Sequence, residues 1–255
     1  MNSTAQSDRR RRTAGPILAA ALAVAGAPIA AIANPGDNPM TTDASLTTKQ
    51  LSIAPIAAAA AVGDLPKLDQ ALNAGLDAGL TVSDTKEILV QLYAYAGFPR
   101  SLNALGELMK VLEARRQRGV EDPRGVEPHR PVPVGDDLLA EGTANQTKLS
   151  GAPVTGPLFD FAPAIDQYLK THLFGDIFAR DNLDWQSREL ATVGALAAMS
   201  GVEPQLRAHI RISMNVGLTA TQLRSVADEL GERGYSDGSQ RFRTVLAEVE
   251  TQMAR

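Results

Sequence analysis

Hydrophobic and polar positions follow a helical period along most of the chain. Leu223, Val226 and Leu230, for example, recur at intervals of three to four residues, which places their side chains on one face of an α-helix. No stretch of the sequence shows the strict two-residue alternation of a half-buried strand. This pattern predicts an all-α fold.

The same order of helix signals occurs twice, in residues 49–105 and 188–242. In each copy a glycine ends the first helix, a proline opens the second, another glycine ends the second, and a threonine caps the third. These positions are Gly63, Pro66, Gly79 and Thr81 in the first copy, and Gly201, Pro204, Gly217 and Thr219 in the second. We therefore predict two diverged copies of one helical module, whose first helices begin near Lys49 and Arg188.

The two copies are predicted to span residues 45–115 and 158–250, with a connector between them. Residues 116–157 are rich in proline and glycine, so we predict an irregular connector that packs across the surface. Residues 159–185 then read as an amphipathic helix followed by a turn. This last segment concentrates aromatic residues, which we interpret as core packing or an oligomer contact, namely Phe159, Phe161, Tyr168, Phe174, Phe178 and Trp185.

The N-terminus differs from the rest of the chain. Four arginines at positions 9–12 precede an apolar run over residues 17–33, which ends in a small-x-small pattern. These features predict a secretory signal peptide over residues 1–33, and hence an exported protein, periplasmic or secreted. The paired arginines leave the twin-arginine route open. A glycine and a proline interrupt the apolar run, which argues against a permanent membrane span. The alternative is a disordered leader with Met40 as the true start.

The amino-acid composition of the chain argues against several classes of function. Loss of the leader would remove four arginines and one aspartate, and would take the net charge from −4 to −7. A mildly acidic protein lacks the electrostatic signature of a nucleic-acid or anionic-membrane binder. The chain contains no cysteine, which excludes disulfides, zinc–thiolate sites and thiol nucleophiles. Its three histidines, His129, His172 and His209, are too scattered to predict a metal site.

Glu189 and His209 are the remaining candidates for chemistry. We predict Glu189 in the first turn of one helix and His209 on the next, so an antiparallel pair could bring them face to face. A carboxylate beside an imidazole fixes its tautomer and raises its basicity, as in a general acid or base. The first copy has Gln50 and Ala71 at the equivalent positions. In the alternative interpretation Glu189 only favours its helix N-terminus and His209 only packs within its helix.

Several motifs in these copies resemble one known family. The stretch from His209 through Arg211 to Thr219 matches the pattern HxR…NxGxT, and residues 188–190 match the helix opening that accompanies it. Residues 93–99, YAYAGFP, match a YxGxP segment in the first copy, and residues 174–183 match the usual lead-in. On these residues the chain resembles the carboxymuconolactone decarboxylase family, which is related to the alkylhydroperoxidases. The resemblance implies an all-α, alkylhydroperoxidase-like fold.

The resemblance also separates two kinds of chemistry. The peroxidase branch of the family carries CxxCxxxH, and here Val202 and Gln205 stand in place of the cysteines. Without a thiolate nothing can attack a peroxide O–O bond, so thiol peroxidase or peroxiredoxin activity is not expected. The decarboxylase branch needs no thiol and no cofactor, because the electrons left by departing CO₂ flow into the conjugated carbonyl of the substrate.

For this chain the resemblance implies a cofactor-free carboxy-lyase that acts on a small unsaturated carboxylate or lactone. His209 would donate a proton and Glu189 would orient it. Arg211 or Arg188 would dock a carboxylate, and Tyr95 would contribute a hydroxyl from the other copy. The two copies have diverged in complementary ways, which suggests one composite site per chain.

The family's ring-like helical oligomers imply a homo-oligomer here, either a trimer or a dimer of two-copy chains. The competing hypothesis is a non-catalytic helical oligomer that binds a small molecule or a partner.

Overall fold

The computed structural model describes residues 45–254, and every regular element in this range is a helix. The predicted all-α class, with two copies of a helical module, is confirmed. The predicted signal peptide, residues 1–33, lies outside the described residues. None of the helices in residues 45–254 is long and apolar enough to cross a membrane.

The first copy contains six helices. The predicted stop at Gly63 and the predicted cap at Thr81 are confirmed, but the predicted first helix is interrupted at Ser52. The helices are α1 (Thr48–Leu51), α2 (Ile53–Val62), α3 (Leu65–Asp77), α4 (Val82–Gln91), α5 (Tyr93–Ala96) and α6 (Phe98–Gln117). Gly63 follows α2 with a φ of 74°, a left-handed conformation that glycine adopts at low cost. Thr81 caps α4 in a reciprocal pair of hydrogen bonds with Asp84, as its spacing predicted.

The prediction of an irregular connector over residues 116–157 is wrong for its second half. Residues 136–150 form α7 (Asp136–Ser150), which begins with two acidic residues and ends at Gly151. Acidic side chains favour a helix N-terminus, and the proline-rich stretch has already ended at this point. Residues 118–135 are free of helix. They do pack across the surface, where carbonyls of Pro123 and Arg124 accept the backbone N–H groups of Val82 and Ser83 at 2.9 Å.

The predicted amphipathic helix over residues 159–185 is broken into three pieces. They are α8 (Pro157–Phe161), α9 (Pro163–Tyr168) and a π-helix (Leu169–Ile177). Pro163 has no backbone N–H and separates the first two pieces. The π-helix packs against α7 at close range, since a Cβ on Gly142 would lie 1.8 Å from the carbonyl oxygen of Lys170. We refer to α7 and the π-helix together as the cap.

The second copy contains α10 (Trp185–Ala198), α11 (Glu203–Asn215), α12 (Ala220–Glu232) and α13 (Ser236–Met253). Its first helix was predicted to begin near Arg188 and to be capped at Gly201. It begins three residues earlier, at Trp185, and its C-cap is Met199, two residues before Gly201. Asp184 opens α10 because its carboxylate accepts the backbone N–H of Ser187 at 2.8 Å. Met199 is extended and ends the helix early.

Two hydrophobic clusters hold these helices together. The larger is centred on α2 and α10, the first long helices of the two copies, which make the most extensive contact in the molecule. Small side chains allow this approach, since a Cβ on Gly194 would lie 2.6 Å from the carbonyl oxygen of Ala54. The smaller cluster lies beneath the cap and includes Phe174, Phe178 and Ile212. Two other aromatics of the predicted aromatic segment, Phe161 and Tyr168, are exposed.

Candidate functional site

Glu189 and His209 form a hydrogen-bonded pair between α10 and α11. His209 Nδ1 lies 2.9 Å from Glu189 Oε2. Both side chains are buried, with relative exposures of 0% for Glu189 and 7% for His209. An ionised carboxylate only accepts hydrogen bonds, so we assign the proton on this nitrogen to His209. The arrangement leaves Nε2 as the ring nitrogen that can take up or release a proton.

Glu189 does not cap the N-terminus of α10. Because α10 begins at Trp185, Glu189 lies in its second turn and not in the predicted first turn. Asp184, and not Glu189, caps the helix N-terminus. Glu189 Oε1 is buried without a protein partner, and so is the hydroxyl of Ser213, one turn after His209. Buried polar atoms are usually paired, so these two atoms leave hydrogen-bonding capacity beside His209.

Tyr95 joins the pair from the first copy. Its ring packs edge-on against the His209 imidazole, with the ring centroids 5.5 Å apart. The Tyr95 hydroxyl lies 3.1 Å from Thr192 Oγ1 on α10. Burial and the nearby charge of Glu189 raise the pKa of Tyr95 well above its ordinary value. Tyr95 is therefore neutral at physiological pH and can donate a hydrogen bond.

Arg188 is placed differently from its predicted role in substrate binding. It is fully buried, and its Nη2 donates to Glu87 Oε2 at 3.1 Å and to the carbonyl of Arg180 at 3.2 Å. Burial lowers the pKa of Arg188, although the charge of Glu87 opposes this shift. Gln91 also donates to the Arg188 carbonyl at 2.9 Å. Arg188 therefore links the two copies from within the protein.

Arg211 lies apart from the Glu189–His209 pair. It follows His209 by two residues on α11, and side chains at that spacing do not share a helix face. Its Nη2 donates to Gln252 Oε1 at 2.6 Å, on α13. Of the five predicted site residues, the structure thus brings together Glu189, His209 and Tyr95.

The equivalent positions in the first copy carry no acid–base pair. Gln50 there accepts the backbone N–H of Thr47 at 3.0 Å and completes the cap of α1. Ala71 is buried in the larger hydrophobic cluster. The histidine and its carboxylate thus come from the second copy, while the tyrosine comes from the first.

Three residues of this region were not predicted as part of a site, namely Glu87, Gln91 and Thr192. Glu87 and Gln91 lie one turn apart on α4, and Thr192 lies three residues after Glu189 on α10. The one sequence signal is a polar position among buried apolar neighbours. That signal does not identify a site residue until the packing of the two copies is known.

No group of three or more metal-ligating side chains that could hold a metal ion occurs among residues 45–254. The candidate site consists of the Glu189–His209 pair, Tyr95 and the polar network behind them.

Both copies of the helical module resemble one known protein family. A model of the carboxymuconolactone decarboxylase family matches residues 30–109 and 163–248. The first match contains Tyr95, and the second contains Glu189 and His209. No curated protein matches the chain.

Proposed function

The chain belongs to the carboxymuconolactone decarboxylase family, and from this premise we propose that it is a cofactor-free carboxy-lyase acting on a small unsaturated carboxylate or lactone. The observation that carries the proposal is the buried hydrogen bond between Glu189 and His209. A positioned histidine with a carboxylate partner is the usual equipment of a general acid.

The proposed reaction needs only groups that this chain supplies. The bond between carbon and the departing carboxylate breaks, and its electron pair moves into the conjugated carbonyl of the substrate to form an enolate. In the proposed step, protonated His209, hydrogen-bonded to Glu189 through Nδ1, delivers its Nε2 proton to carbon and becomes neutral. The neutral hydroxyl of Tyr95 donates to the enolate oxygen while the charge develops.

The family's thiol chemistry is not part of this proposal. The chain contains no cysteine, and Val202 and Gln205 stand where the peroxidase branch has its thiols. A histidine and a carboxylate move protons, but they do not replace a thiolate as a two-electron reductant of a peroxide.

The proposal is tested by CO₂ release from a panel of carboxylated unsaturated lactones, incubated with the purified protein. Enzyme-dependent release from at least one lactone is the expected result, with no added metal or cofactor. A protein that is folded, as judged by circular dichroism, but releases no CO₂ from any of them would contradict the carboxy-lyase proposal.

A non-catalytic, self-associating protein is the second candidate, and an exposed apolar stripe on α6 favours self-association in either case. Phe98, Leu102 and Met109 are 62%, 62% and 72% exposed and recur at helical spacing on one face. Exposed apolar surface of this kind marks interaction sites. We propose that this face joins copies of the chain into a dimer or trimer.

Replacing Leu102 with glutamate is expected to reduce the oligomer to single chains, because the interface would have to bury an unpaired charge. Sedimentation velocity measures the change directly. Asn103→Glu is the matched control, since Asn103 is exposed on the same helix but lies off the stripe, and it should leave the mass unchanged. A wild-type protein that sediments as a single chain, or a Leu102→Glu variant of unchanged mass, would contradict this interface.

We also propose that residues 1–33 direct export, on the sequence features alone. N-terminal sequencing of the protein recovered outside the cytoplasm is expected to begin at Asn34, after cleavage at the small-x-small pattern. An intact leader on the mature protein, or a start at Met40, would contradict the proposal.

A further inference from the structure

A groove of about 400 Å³ lies at the junction of the cap, the start of α10 and the end of α11. Its size is within the range of small-molecule sites. Six residues line it, namely Lys148, Asp184, Trp185, Gln186, Asn215 and Val216. Neither the Glu189–His209 pair nor Tyr95 is among them, so the groove is separate from the candidate acid–base site.

Lys148 has an unusual environment among the lysines of this protein. The described part of the chain contains six lysines, and five of them lie within 4 Å of a carboxylate oxygen. Lys148 instead holds its ammonium 5.0 Å from the centroid of the Trp185 ring. A cation–π contact orients a lysine but uses no hydrogen-bond acceptor. The three N–H donors of Lys148 are therefore available to an anion.

The neighbouring groups hold the groove in shape. Trp185 Nε1 donates to the carbonyl of Phe178 at 3.0 Å, which fixes the plane of the indole. Asn215 Nδ2 donates to the carbonyl of Leu149 at 2.9 Å, and Gln186 Nε2 donates to that of Val216 at 2.8 Å. Each of these amides has a second N–H group. The groove wall thus carries two amide groups in addition to the ammonium.

Asp184 restricts which anion can bind. Its carboxylate accepts the backbone N–H and the hydroxyl of Ser187 at 2.8 and 2.9 Å, but its negative charge remains in the groove wall. A ligand with one carboxylate can face Lys148 and keep its neutral end towards Asp184. A second carboxylate on the ligand would meet that charge and be disfavoured.

The groove is connected to the candidate site through the smaller hydrophobic cluster. Trp185 and Val216 pack against this cluster together with Tyr95, and Ile212 is part of it. Ile212 lies one turn after His209 on α11. A ligand in the groove therefore lies on the cap side of the helix that carries His209.

We propose that the Lys148 groove binds a small monocarboxylate through the ammonium of Lys148, with its apolar part against Trp185. Because neither the Glu189–His209 pair nor Tyr95 lines the groove, this proposal concerns binding alone and does not rest on the function proposed above. Lys148, at the end of α7, lies between the two regions of the chain that the family model matches.

Trp185 is the only tryptophan of the chain, so its fluorescence reports directly on the groove. Titration of the full-length protein with crotonate, at constant ionic strength, is expected to change the emission of Trp185 saturably. Crotonamide, which has the same shape without the charge, should produce no saturable change. Lys148→Gln should weaken crotonate binding at least about tenfold, because it removes a charge-assisted hydrogen bond.

The matched control is Lys110→Gln, which removes a surface lysine of α6 that pairs with Glu107 and should leave the titration unchanged. A crotonate response that persists in Lys148→Gln, an equal response to crotonamide, or no response in the wild type would each overturn the proposal.

An absence of ligand binding in the groove can be distinguished from an absence of the proposed decarboxylation. His209→Asn should bind crotonate as the wild type does, because His209 does not line the groove. Crotonate binding that depends on Lys148, in a protein that releases no CO₂, would support the groove and contradict the carboxy-lyase.

Discussion

Replacing His209 with asparagine is expected to lower kcat for CO₂ release by about 10²- to 10⁴-fold, which is the usual contribution of a positioned general acid. Asparagine has an amide N–H that can face Glu189, so the buried carboxylate keeps a donor and the fold should survive. The assay is initial-rate CO₂ release from the best lactone, with circular dichroism and urea unfolding to verify the fold.

His172→Asn is the matched control for this substitution. His172 Nδ1 lies 2.9 Å from Asp176 Oδ2, so the described residues contain a second histidine–carboxylate pair with the same nitrogen–oxygen distance. Its side chains are 54% and 41% exposed, in contrast to the buried Glu189–His209 pair. The rate should be unchanged in His172→Asn. A folded His209→Asn variant with wild-type kcat would remove His209 from the proposed mechanism.

Replacing Glu87 with glutamine is expected to lower the free energy of unfolding by about 3–5 kcal/mol, as is typical when one partner of a buried ion pair is removed. Glu87 is 3% exposed, and Arg188 is not exposed at all. The substitution would leave the Arg188 guanidinium buried without a counter-charge. Arg180, the other partner of Glu87, is 29% exposed and can reach solvent. Urea unfolding at neutral pH measures the difference.

Two further variants make this expectation specific. Glu113→Gln breaks an exposed pair with Arg116, in which the side chains are 49% and 75% exposed, and should leave the free energy of unfolding nearly unchanged. The double variant Glu87→Leu with Arg188→Met removes both buried charges and should recover much of the lost stability. A Glu87→Gln variant within about 1 kcal/mol of the wild type would contradict the account, since that is far below the cost of stranding a buried charge.

The Glu87–Arg188 pair also makes the free energy of unfolding depend on pH. Burial raises the pKa of Glu87, but hydrogen bonds and charges from Arg180 and Arg188 outweigh burial and lower it below its ordinary value. A carboxyl with a lowered folded-state pKa contributes its full stability above its unfolded-state pKa. That contribution is lost as the pH falls through the folded-state value. The stability difference between the wild type and Glu87→Gln should therefore shrink on acidification.

Much of the fold could be predicted because its signals are local. Gly63 ends a helix and Thr81 caps one wherever these helices pack in the molecule. The helix α7 was missed because the preceding proline-rich residues suggested an irregular segment, while its own residues carry a weak apolar pattern. The three-residue error at α10 has a similar origin, since Asp184 had not been recognised as its cap.

The candidate site, like the fold, could be predicted only where its sequence signals are local. Glu189 and His209 could be predicted to meet because they lie on consecutive helices with a short connection. Ser83, Glu87 and Gln91 recur every four residues on α4 and resemble a solvent-facing stripe, yet all three are buried. Their burial depends on where the second copy packs against the first. No local sequence pattern encodes that placement. The same packing of the two copies buries Arg188, which is why it does not take its predicted place in substrate binding.

The cross-copy contacts have a consequence for the chain as a folding unit. Arg188 of the second copy finds its carboxylate, Glu87, only in the first, and the backbone of α10 at Gly194 fits against Ala54 of α2. Separating the two copies would strand the guanidinium and expose both faces of this contact. We therefore expect the two copies to unfold together as one cooperative unit.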